Sequence, residues 1–173
     1  MHQSINEIFT RRSVRSFTDQ KVEQEKIEEM LRAGMQAPSA ANQQPWSFIV
    51  VSGKERLKEL SSYSPYAASL KSCSHAIILL GDTKKMKMVD LWQHDMGAVA
   101  QNILLTATAQ GLGAVWLCCA PDATRMGNIA ALYQLDETQL PYCVIALGYP
   151  KKENANHFVD RYDETCVCYI GDE

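Results

Sequence analysis

Between Asp90 and Gln110 the chain carries Met96, Val99, Ala100, Ile103, Leu104 and Ala107 in near-continuous apolar register, interleaved with the small residues Gly97, Ala98 and Ala109. A helix that is apolar on much of its circumference cannot lie on a surface; it has to be central, packed on more than one side. Gly111-Leu112-Gly113 ends it. The rest of the chain must supply the layers around this helix, and its pattern does so. Residues 47–52, 75–81, 114–119 and 142–148 read as buried-type strands. Helical spacing appears over residues 4–12, 22–32, 54–61 and 122–133. Ser4-Ile5-Asn6-Glu7 has the form of a capping box for the first of these, and Gly34 is the expected stop of the second. Strands alternating with helices predict a layered α+β domain, a sheet covered by helices.

With 173 residues and no repeat, low-complexity tract or linker, one domain over 1–173 is expected. After Pro150 the composition turns polar. Phe158, Val159, Tyr162 and a patch over 166–170 are the main apolar residues of this tail, which suits a strap over a surface of this subunit or of another.

The bulk numbers exclude some classes. A net charge of −3 gives no basic face for nucleic acid or an anionic membrane. Apolar runs such as residues 76–80 are far shorter than the ~20 residues that span a bilayer, and the first residues lack the pattern of a signal peptide, so a cytoplasmic protein is expected. Six cysteines, at 73, 118, 119, 143, 166 and 168, then read as reduced thiols, with 118, 119 and 143 as buried small hydrophobes. Cys166-Val167-Cys168 lacks the spacing of a zinc knuckle, and no metal site is expected. In the lone pair His94-Asp95 on a helix, the histidine reads as a structural or surface residue and not as a metal ligand. The dinucleotide fingerprint, the Walker A sequence, H-E-x-x-H and G-x-S-x-G are absent.

Two segments carry chemistry. Arg11-Arg12-Ser13-Val14-Arg15 packs three guanidinium groups and a hydroxyl into five residues. Cations near a helix C-terminus gain from its dipole, but three arginines cannot all cap the same carbonyls, and guanidinium forks match phosphate oxygens bidentately. Residues 38–46, Pro-Ser-Ala-Ala-Asn-Gln-Gln-Pro-Trp, form a polar loop whose two prolines fix a backbone able to meet the polar edge of a ligand. Together they suggest a site for a phosphorylated, partly aromatic ligand.

These segments resemble the nitroreductase family of FMN-dependent oxidoreductases. R-R-S-x-R at 11–15 looks like that family's flavin-phosphate motif, and Pro38-Ser39-x-x-Asn42-x-Gln44-Pro45-Trp46 like its P-S-x-x-N-x-Q-P-W loop. The helix from Asp95 through Gln101-Asn102 to Gly111-Leu112-Gly113 resembles its central helix, and Gly148-Tyr149-Pro150 the G-Y-P that closes its last core strand. The resemblance spans about residues 4–161. It implies a three-layer α/β/α sandwich with a mixed, mainly antiparallel sheet, an exchanged C-terminal tail, and a homodimer with FMN at the interface. It also implies that Arg11, Arg12 and Ser13 hold phosphate and ribityl groups, with Arg15 near the ribityl or the pyrimidine edge. Pro38, Ser39, Ala40 and Asn42 would come from the partner subunit, and the backbone around Leu117 and Cys118 would face the ring. Arg161 is a further phosphate candidate, Lys151 and Lys152 weaker ones.

The activity implied is hydride transfer from NADH or NADPH to the flavin, then reduction of a nitroaromatic, quinone or related small electrophile in the same cleft by a ping-pong mechanism. No protein acid or base is obligatory, and no catalytic residue is assigned. A flavin-storing or flavin-sensing protein and a reductive dehalogenase-type flavoenzyme are the alternatives. Cys118 stands where many members of the family have glycine.

Overall fold

The computed structural model describes residues 6–171. Its core is a four-stranded sheet: β1 (Trp46–Ser52), β2 (His75–Asp82), β3 (Gly113–Cys118) and β4 (Gln139–Gly148), in the order β1-β2-β4-β3 with every neighbour antiparallel. The helices are α1 (Asn6–Thr10), α2 (Gln24–Met35), α3 (Lys54–Leu60), α4 (Trp92–Ala109) and α5 (Ala123–Tyr133). Ser4 and Ile5 of the expected capping box lie outside the described residues.

Both faces of the sheet are covered, and alternation along the strands shows how. Trp46, Ile77, Leu79, Cys143, Ile145 and Leu147 point to one side, where they pack with Ile27 and Met30 of α2 and with Met96, Val99 and Ile103 of α4. Val51, Ala76, Ile78, Leu80, Val144 and Ala146 point to the other, under Leu57 and Leu60 of α3, Ile129 of α5 and the short turns around Tyr63 and Leu70. The central strands β2 and β4 are therefore apolar on both faces. The apolar belt of α4 is explained in the same way, since α2 lies on one side of it and the sheet on the other.

One sequence expectation fails here. Gly34 does not stop α2: it lies buried inside the helix, which runs on to Met35. A Cβ on Gly34 would stand 3.0 Å from Ile103 Cγ1 and 3.3 Å from Val99 Cγ1 of α4. The glycine is there for helix–helix contact, a role that a local capping pattern does not distinguish from termination. No helix among the described residues is long and apolar enough to cross a membrane.

After α1 the chain runs along the free edge of β3. Ser13 bridges Ala114 in parallel, Val14 N–H donates to Ala114 O at 3.0 Å, and Phe17 bridges Pro150. Gly113 permits this approach, because a Cβ there would stand 2.6 Å from Val14 Cγ1. Residues 157–171 are exposed throughout, and a 3-10 turn at Glu164–Cys166 is the only regular element in that stretch.

Candidate functional site

The chain's course along β3 divides the arginine segment between two recesses. The first, about 380 Å³, is lined by Arg11, Arg12 and Arg161 together with Ile8, Phe9 and Phe158. Three guanidinium groups thus line a recess with Phe9 and Phe158, whose rings meet at a tilt with centroids 6.2 Å apart. Burial first, and then the charges of Arg12 and Arg161, hold the Arg11 guanidinium below its usual range. Arg12 is fixed on one side only: its N–H donates to Asn156 Oδ1 at 3.0 Å and its NH1 to Arg11 O at 2.6 Å. Its Nε and NH2 are buried with no partner. Buried guanidinium donors without an acceptor suit an anion, and the lining also holds one carboxylate, Asp160, whose Oδ1 accepts from Tyr162 N–H at 3.0 Å. No carboxylate among the described residues forms an ion pair with Arg11, Arg12, Arg15 or Arg161.

The second recess, about 410 Å³, lies past Ser13. Arg15, Tyr63, Tyr66, Trp116, Leu117, Cys118 and Arg125 are among its lining residues. Arg125 is held by Asp122 at 3.4 Å and sits 5.3 Å over the Tyr66 ring. The open edge of β3 runs here. Because Ala114 O is turned outward to Val14, ladder alternation turns the N–H and C=O of Trp116 and Cys118 outward too. They have no backbone partner among the described residues. Arg15, whose NH1 donates to Ser13 O at 3.3 Å, provides a cation beside this row of donors and acceptors. Ser13, which is exposed, lies in sequence between Arg12 of the cationic recess and Arg15 of the aromatic-walled one.

Pro38, Ser39, Ala40 and Asn42 line neither recess. Their loop is held against α4 instead. The Asp95 carboxylate, 4% exposed, accepts from Ala40 N–H at 2.8 Å and from Gln43 Nε2 at 2.5 Å. Gln43 Oε1 in turn accepts from the N–H groups of Lys87 and Met88, and Ser39 Oγ from Gln44 N–H. Ala41, Asn42 and Gln44 all have φ between 47° and 49°, a left-handed conformation that costs non-glycine residues roughly 1–2 kcal/mol each. A loop built of such residues and held by a buried carboxylate is shaped for contact, and Pro38, Ala41 and Asn42 stand exposed on it.

Sequence reasoning singled out the arginines and the loop, and the structure brings Arg11, Arg12 and Arg161 into one recess while leaving the loop outside both. That reasoning assigned no holding role to Asp95, Gln43 or Asn156, and it missed Tyr63, Tyr66 and Arg125 in the second recess. The one available signal was a carboxylate in the first turn of an otherwise apolar helix. Cys118 is also corrected: it is exposed, because it closes an edge strand, while Cys119 and Cys143 are buried as expected. Lys151 and Lys152 are exposed and lie outside the arginine recess.

The chain is similar in sequence and in fold to known proteins. Residues 8–78 and 82–149 match the model of the nitroreductase family. A protein of Archaeoglobus fulgidus, provisionally named NADH dehydrogenase/NAD(P)H nitroreductase, is 41% identical over 154 residues, 88% of each chain. The crystal structure of a provisionally named NADH oxidase from Clostridium acetobutylicum superposes with a TM-score of 0.91 at 48% identity, covering 94% of this chain and 97% of that one. That of a provisionally named nitroreductase from Desulfovibrio desulfuricans, in complex with FMN, superposes with a TM-score of 0.85 at 28% identity, covering 100% of this chain and 99% of the other.

Proposed function

This chain belongs to the nitroreductase family, and we propose that it is an FMN-dependent oxidoreductase that takes hydride from NADH or NADPH and reduces a small electrophile such as a nitroaromatic or a quinone. The observation that carries this reading is the pair of unpartnered donors on Arg12. Its buried Nε and NH2, beside Arg11 and Arg161, have no partner among the described residues and suit the phosphate of such a cofactor. FMN, when bound, supplies the two-electron chemistry itself.

The chain's residues have the remaining tasks. Arg11, Arg12 and Arg161 would neutralise the phosphate, and the exposed Ser13 would meet the ribityl chain. Trp116 and Cys118 offer outward backbone groups to the polar rim of a flat ring, a more specific assignment than the neighbourhood of Leu117, whose side chain is buried in the core. Arg15, in the same recess, would favour negative charge on the ring's pyrimidine side and so stabilise its reduced form. Bonding through backbone and guanidinium groups leaves acid–base work to no side chain of this site.

The arrangement also supports a homodimer. Pro38, Ser39, Ala40 and Asn42 are held in a contact-ready loop yet line neither recess of their own chain, so a second copy's recess is the site we assign them. The tail, exposing Phe158, Val159, Tyr162, Tyr169 and Ile170, would be exchanged between the copies. Six unpaired cysteines suit a reducing compartment such as the cytoplasm.

A visible absorption spectrum of the purified protein tests the proposal, followed by NADH or NADPH under nitrogen. A yellow protein that bleaches, and regains colour when a quinone is added, is the expected result. A colourless protein that also fails to take up added FMN would overturn it.

A further inference from the structure

Cys118 and Cys143 are direct cross-strand partners in the β3–β4 ladder. Two hydrogen bonds define the kind of pair. Val14 N–H to Ala114 O turns the even-numbered residues of β3 outward, and Cys119 N–H to Tyr142 O at 3.1 Å makes the next pair the bonded one. Cys118 and Cys143 therefore form a non-hydrogen-bonded pair, in which Cα atoms lie ~4.5 Å apart and both side chains stand on the same face. Disulfides span Cα separations of roughly 4.4–6.8 Å. Both thiols are free, Cys118 at the surface and Cys143 wholly buried.

We propose that Cys118 and Cys143 are an oxidation site that closes to a cross-strand disulfide on exposure to hydrogen peroxide. The exposed Cys118 thiol reacts first: its sulfur attacks the peroxide O–O bond, giving a sulfenic acid and releasing one water. Cys143 sulfur then displaces the sulfenic hydroxyl, which leaves with the Cys143 proton as a second water, and the S–S bond forms. In sum, two thiols are oxidised by two electrons and one peroxide is reduced to two waters. The order follows from access. Burial, and then the neighbouring Cys119 and Cys118, push the Cys143 thiol far up, so it is unreactive until a partner is activated beside it. Cys119 does not compete, because its side chain belongs to the opposite face of the sheet, beside Tyr63, and burial pushes its thiol up to about 12. The inference rests on strand register and on the exposure of Cys118, not on the flavin reading.

The test is peptide mapping after peroxide treatment, acid quenching and alkylation of the remaining thiols. Trypsin cleaves after Arg125, so Cys118 and Cys143 fall on separate peptides. The expected product joins these two peptides, loses two hydrogens, separates on reduction, and is absent from Cys118→Ser, an exposed substitution that leaves the core intact. Fragmentation between Cys118 and Cys119 identifies the linked sulfur without a second variant. Thiols that all stay alkylatable, Cys118 found as sulfinic acid with Cys143 free, or a link through Cys119 would each overturn the proposal.

Discussion

The carboxylate of Asp95 on α4 and the side chain of Gln43 in the loop before β1 meet at 2.5 Å, both almost fully buried. Through Gln43 Oε1 the contact extends to the backbone of Lys87 and Met88, and through Asp95 Oδ1 to Ala40 N–H. The central helix thus carries the loop that we assign to a partner's site. Asp95→Ala strips two partners from a buried carboxylate's network and is expected to cost ~3 kcal/mol, or roughly 6–12 °C in Tm for a chain of this size. Differential scanning calorimetry checks this, with Asp95→Asn expected to lose less because it keeps an acceptor for Ala40 N–H.

Arg11→Ala is expected to act oppositely on stability and on binding. Removing one of three crowded cations relieves repulsion, so the flavin-free protein keeps or gains thermal stability. FMN affinity falls by about 1.5–3 kcal/mol, the scale of a hydrogen bond to a charged group, or roughly 10- to 150-fold in Kd. Fluorescence titration with FMN reads the second effect, and unchanged affinity would remove Arg11 from the phosphate site.

Two glycines in helices make a controlled comparison. Gly34→Ala drives a Cβ to 3.0 Å from Ile103 Cγ1 and is expected to destabilise by ~1–3 kcal/mol through overpacking. Gly127→Ala, in α5 with nothing within 4 Å of the new Cβ, is expected to stabilise by ~0.5–1 kcal/mol through helix propensity. Urea denaturation of both variants checks the signs.

His75 supplies a pH dependence. Burial first, and then Lys21, hold its imidazole below the usual range, with Nδ1 2.9 Å from Ser74 Oγ. The folded protein prefers the neutral ring, while the unfolded chain takes up its proton near pH ~6.5. This contribution is complete above that pH and is lost as the pH falls below it. Tm measured from about pH 7.5 down to about pH 5 should fall less steeply in His75→Gln than in the natural sequence.

Legibility in the sequence followed the range of the interactions concerned. The strands at 75–82 and 113–118 and the belt of α4 were readable because burial on two sides leaves a local apolar pattern. Gly34 was misassigned because a glycine near a helix end and a glycine at a helix crossing look alike until the second helix is placed. The arginine cluster was legible by density alone. Its division into two recesses was not, since that depends on Val14 closing on Gly113 and on Arg161 arriving from 150 positions away. The holding roles of Asp95 and Asn156 were not legible for the same reason: their partners are 52 to 55 and 144 residues distant, respectively.

The free margin of β3 also bears on what this edge of the sheet does not do. Residues 13 and 14 occupy its first part, leaving outward groups only at Trp116 and Cys118, a stub of ~7 Å at the usual rise per residue. A foreign strand needs about five residues of ladder to add to a sheet, so this margin is too short to recruit another chain into an amyloid-like stack, and Arg15 puts a charge beside it. A planar heterocycle needs no more than that length. The N-terminal segment thus trims a sticky border down to the width of one small molecule, keeping a ligand-sized opening while removing the aggregation hazard that a longer one would bring.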